Sequence, residues 1–122
     1  MKTSQVLMQA LDIIDTPGKW TKEVYARDRD GSPTFPNSNN AVCFCSLGAV
    51  QKVLTGQSPV ETFKAIFALT LPINNKVGGL GGIGDDIVIV NVNDKATSPF
   101  DPEMAKMWLG AIFTALADEE SR

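Results

Sequence analysis

Between Ser4 and Asp15 the apolar residues Leu7, Leu11 and Ile14 recur at helical spacing, and Val6, Ala10 and Ile13 widen the stripe. The pattern predicts an amphipathic helix, capped by Thr3 or Ser4 and ended by the sequence DTPG at 15–18. The period then changes. Trp20, Lys22, Val24 and Ala26 alternate with Thr21, Glu23, Tyr25 and Arg27, a strand pattern that breaks at the turn-forming DRDG of 28–31. Residues 32–41, SPTFPNSNNA, are loop by composition.

Two apolar stripes follow. Cys43, Leu47, Val50 and Leu54 form one, and Val42, Cys45, Ala49 and Val53 the other, which predicts a central helix from Ala41 to Leu54, capped by Asn39 or Asn40 and stopped by Gly56. Ser58, Pro59 and Glu61 fit the N-cap, N1 and N3 positions of a further helix carrying Val60, Phe63, Ile66, Phe67 and Leu69. A glycine-dense loop leads to IVIVNVND at 87–94, whose continuous apolar run predicts a central strand. Asp101 and Pro102 then open a last helix. Met104, Trp108, Ala111, Ile112 and Ala115 share one face of it, while Leu109, Phe113 and Leu116 spill onto the other. The order helix, strand, helix, helix, strand, helix predicts an α+β fold. About four helices would pack around a small antiparallel sheet of two or three strands, with residues 1–122 as a single globular domain.

Composition narrows the chemistry. A 43% hydrophobic and 20% charged chain is an ordinary globular one, and at a net charge of −3 its basic residues form no stripe that would neutralise phosphates, so no nucleic-acid partner is expected. The first residues, MKTSQVLMQALDII, do not read as a signal peptide, and no apolar run would span a bilayer. A cytoplasmic location with free thiols is the expectation. Histidine is absent, which removes the usual general base and the commonest zinc ligand.

Each candidate site competes with a plainer explanation. On a helix Cys43 and Cys45 would point about 200° apart, too far to share a metal, and Cys-x-Cys is not the redox Cys-x-x-Cys. A single activated thiol at Cys45, near a helix start, is the remaining reactive option; two small core residues are the plainer one. Gly79, Gly81 and Gly84 fit G-x-G-x-x-G but precede a predicted strand instead of following one, and Asp85 and Asp86 would repel phosphate. DRDGS at 28–32 lacks the ligands of a calcium loop and reads as a hairpin turn. Arg27 and Asp28 end one predicted strand; Asn91, Asn93 and Asp94 end the other. The two groups could meet in a polar cleft. The surplus apolar surface of the last helix, Trp108, Leu109, Ile112, Phe113 and Leu116, suits a protein partner or a second copy of the chain.

Four segments in this order, KW…VYARDRDG at 19–31, FCSLGAV at 44–50, IVNVND at 89–94 and the final amphipathic helix, resemble a family of small bacterial and phage proteins that is a domain of unknown function. The matched positions are Trp20, Tyr25, Ala26, Arg27, Asp28, Gly31, Cys45, Gly48, Ala49, Asn93 and Asp94. Cys43 is not among them, and Val92 departs from the tryptophan common before Asn-Asp. The resemblance supports the fold and implies a possible phage or mobile-element origin, and it carries over no established activity. The sequence therefore points to an interaction module that is not an enzyme, with no catalytic residue, no metal ligand and no cofactor assigned. The second reading is a small-ligand protein using Trp20, Tyr25, Arg27, Asp28, Cys45, Asn93 and Asp94. The third is an enzyme using the Cys45 thiol.

Overall fold

The computed structural model describes residues 1–73 and 85–121. Its elements in chain order are α1 (Thr3–Asp15), β1 (Ala26–Arg27), β2 (Pro33–Thr34), β3 (Cys43–Phe44), α2 (Ser46–Val53), α3 (Pro59–Thr70), α4 (Asp85–Lys95) and α5 (Pro102–Glu120). The α+β architecture stands, with five helices and one three-stranded sheet among the described residues. The strands run in the order β2-β1-β3, all antiparallel, with Ala26 opposite both Thr34 and Phe44.

The amphipathic stripe of α1 buries Val6, Leu7, Ala10 and Ile14 against α2 and α5. Ser4 is not its cap. It lies inside the first turn, where its N–H and hydroxyl both donate to the Glu119 carboxylate near the end of α5. A carboxylate thus meets free N–H groups at a helix start, where the dipole also favours it. Ser58 and Asp101 occupy the N-cap positions of α3 and α5, each followed by proline at N1. Asp101 turns its side chain back to the preceding loop, accepting from Thr97 N–H, Thr97 Oγ1 and Ser98 Oγ.

Three expectations change. The predicted strand at 87–94 is the helix α4. Ile89, Asn93 and Ala96 are buried at helical spacing, with Val90 and Val92 half-buried beside them. β-branched residues cost a helix only a few tenths of a kcal/mol each, so packing of that face outweighs their strand preference. The long strand of 20–27 shrinks to Ala26–Arg27, with Trp20 making one isolated bridge to Phe44. Residues 22–25 bend away, and Glu23 adopts a φ of 75°. The helix predicted from Ala41 begins at Ser46 instead. Val42 N–H and Cys45 N–H donate to Arg27 O and Tyr25 O, so the sheet has taken the backbone groups a longer helix would use. Cys45 is the actual N-cap, its Sγ accepting from Gly48 N–H at 3.3 Å. Cys43 and Cys45 therefore sit on extended backbone, and the argument that a helix turns them apart does not apply. Cys43 is half-buried, not core, and both thiols are free.

The core lies where α1, α2 and α5 meet, with α3 against α5 and α4 against α2 and α3. Leu47, Ala49, Val50 and Leu54 are buried in it as their stripes predict. On α3 the inward residues are Ala65, Leu69 and Thr70, whereas Val60 and Phe63 face outward.

Candidate functional site

Because 85–95 is helical, Asn93 points into the interior and becomes the centre of a buried polar cluster. Its side chain is fully buried. Three donors converge on Oδ1: Trp20 Nε1 at 2.8 Å, Ser46 N–H at 2.9 Å and Ser46 Oγ at 2.8 Å. Nδ2 donates to Thr21 O at 3.0 Å and faces Asp94 Oδ1 at 3.3 Å. Trp108 Nε1 reaches Ser46 Oγ at 3.4 Å, which brings α5 into the same cluster. No buried side-chain nitrogen or oxygen is left without a partner among the described residues. Every polar atom of Asn93 is thus used within the chain.

The remaining polar residues grip one short segment, 20–23, from two sides. From α4, Asp94 Oδ1 accepts Glu23 N–H at 2.9 Å, and Ala96 O accepts from Lys22 Nζ at 2.8 Å. From β1, Arg27 donates through Nε to Thr21 Oγ1 and through its terminal nitrogens to Lys22 O and Gly31 O. The positive φ of Glu23 is held between these two sets of bonds. Of the polar ends that the sequence suggested could meet, Arg27, Asn93 and Asp94 reach the same segment. Asp28 organises the β1–β2 turn, its Oδ1 accepting from Asp30 N–H and Ser32 N–H while Gly31 supplies a φ of 84°. That is the hairpin turn read from the sequence.

Cys45 is 2% exposed. Burial pushes its thiol up; the Gly48 and Leu47 N–H groups pull in the other direction, and the nearby Asp94 charge adds to the rise. The helix start does not win. A protonated, enclosed sulfur is a poor nucleophile. Among the described residues no group of three or more cysteines or carboxylates could hold a metal ion.

An open concavity lies elsewhere. A cleft of about 560 Å³ runs between the β1–β2 hairpin and α4, lined by Glu23, Val24, Tyr25, Pro33, Thr34, Phe35, Ile87 and Val90. Tyr25, Phe35 and Ile87 are 44%, 77% and 60% exposed. Of the seven residues the sequence singled out for ligand binding, Tyr25 alone lines this cleft. Trp20, Asn93 and Asp94 come together at the buried cluster, Cys45 adjoins it through Ser46, and Arg27 and Asp28 stand at the hairpin. Ser46 was missed as a functional candidate, as were Phe35, Ile87 and Val90. The signal for the last two was hidden by reading 87–94 as a strand. The glycine-rich stretch, apart from Asp85 and Asp86, lies outside the described residues.

A family model described as a family of unknown function, DUF6197, matches residues 1–101. The chain belongs to that family. The span shared with DUF6197 contains Trp20, Ser46 and Asn93 and ends at Asp101, one residue before α5, so Trp108 joins the buried cluster from beyond it. No curated protein and no solved structure matches the chain. Among the described residues no helix is long and apolar enough to cross a membrane.

Proposed function

We propose that this member of DUF6197 is a non-enzymatic interaction module, which takes an apolar segment of a protein partner into the cleft between the β1–β2 hairpin and α4. The observation that carries this reading is the character of the cleft wall. Tyr25, Phe35 and Ile87 stand exposed around it, and among the described residues Glu23 is the one charged residue of its lining. Large apolar side chains held in water at a concave surface gain free energy when a complementary surface covers them. Around Asn93, by contrast, the side-chain hydrogen bonds run within the chain, to Trp20, Thr21 and Ser46.

The volume of the cleft also falls within the range of small-molecule sites, which favours a compact apolar ligand as the second reading. One experiment separates the two. A photoreactive phenylalanine analogue in place of Phe35 should crosslink to a discrete protein in cells making the variant, and Ile87→Asp should abolish that adduct without changing the melting temperature. Failure to crosslink, with stabilisation of the native fold by a small apolar metabolite in a thermal-shift screen, would replace the protein partner by a ligand.

A further inference from the structure

Opposite its buried face, α5 carries a second stripe. Met104, Met107, Trp108, Ala111, Ile112 and Ala115 point into the core, and Trp108 and Ile112 are therefore unavailable to any partner. Lys106, Leu109, Phe113, Ala117 and Glu120 are exposed, with Leu109 at 49% and Phe113 at 70%. Their spacing of three or four residues keeps them in line along the helix. About Phe113 the stripe is complementary to its own reverse, a large side chain matched with a small one and a positive charge with a negative one. Seven residues before Phe113 is Lys106, and seven after it is Glu120. Four before is Leu109, and four after is Ala117.

We infer that this face is a self-association surface, on which a second copy of the chain docks its own α5 antiparallel, with the two Phe113 rings meeting on the two-fold axis. In that arrangement Leu109 of each copy lies over Ala117 of the other, so a large side chain faces a small one. Lys106 of each copy faces Glu120 of the other, giving two symmetry-related ion pairs at the ends of an isologous contact. Parallel docking would instead place Lys106 over Lys106 and Glu120 over Glu120. The charges thus select the antiparallel register. This surface lies on a different helix from the cleft and stands or falls independently of it.

A contact of four helical turns is at the low end of specific interfaces, roughly 1,000 Å² in all, so association is expected in the micromolar range or weaker. Sedimentation velocity and light scattering over about 10 μM to 1 mM should show the mass rising from 13.1 kDa towards twice that value. Phe113→Asp should stay monomeric throughout. Lys106→Glu and Glu120→Lys should each weaken association by about fivefold or more, and the double reversal should restore it. All three positions are exposed, so circular dichroism and melting temperature should match the parent protein. A parent chain that remains monomeric at the highest concentration, or a dimer indifferent to Phe113→Asp, overturns the surface. A double reversal no better than the single variants overturns the register.

Discussion

Gly48 is where two parts of the fold come closest, and its replacement by alanine tests the packing most directly. A Cβ at Gly48 would stand 2.0 Å from the Tyr25 carbonyl oxygen and 2.9 Å from its carbon. Both are backbone atoms, and the same oxygen accepts the Cys45 N–H at 3.1 Å, so the chain at residue 25 cannot move away freely. Alanine favours the helix by about 1 kcal/mol over glycine. Against this stand the strain of overpacking, about 1–3 kcal/mol or more, and a weakened hydrogen bond of about 1 kcal/mol. With the strain near its upper end, because neither side is a flexible side chain, the net loss is about 2–3 kcal/mol. At about 4 °C per kcal/mol for a chain of this size, Gly48→Ala should melt roughly 8–12 °C below the parent, with an unchanged slope in urea. Gly110→Ala is the internal comparison. There, among the described residues, the new Cβ meets the Pro72 ring at 2.8 and 2.9 Å, just past the end of α3, and a loss of about 1 kcal/mol is expected. A Gly48→Ala melting temperature within about 2 °C of the parent would refute the reasoning.

Asn93→Ala should cost about 3 kcal/mol in urea unfolding, since it strands the Ser46 N–H and hydroxyl in the interior. Trp20→Phe, which removes one donor near the surface, should cost about 1 kcal/mol. Equal losses from the two would show that the cluster has no centre. Asp101 provides a pH signature. Its bond from Thr97 N–H, then that from the Thr97 hydroxyl, hold its carboxyl below the ordinary 3.8, so the stability it adds is present above that value and disappears as pH falls through the lower folded one. The gap in urea midpoint between parent and Asp101→Asn should therefore close in acid; a gap independent of pH down to full protonation would contradict the assignment.

The helices that proved legible share one property: local chemistry and tertiary burial agree in them. In α1 the apolar stripe is the buried face, and in α3 and α5 the proline at N1 marks the start whatever the rest of the molecule does. The errors have a common origin. In 87–94 the β-branched run hid the spacing of Ile89, Asn93 and Ala96, although Asp85 and Asp86 at one end and Lys95 at the other carry the charge order of a helix. At 41–45 the residues suit a helix in isolation, but Arg27 and Tyr25 offer carbonyl partners that only the folded chain brings into reach.

By itself, the sequence determined the class of fold, the starts of α3 and α5, the hairpin turn at Asp28–Gly31, and the absence of histidine chemistry. It also singled out Trp20, Arg27, Asn93 and Asp94 as candidates for ligand binding. Tertiary structure decided what they do. A strand would have sent alternate side chains to opposite faces, whereas a helix at 85–95 aims Asn93 inward at Trp20 and Ser46 while leaving Ile87 at the cleft. The local preferences of β-branched residues amount to tenths of a kcal/mol, and a buried amide that must find partners for all its hydrogen bonds outweighs them.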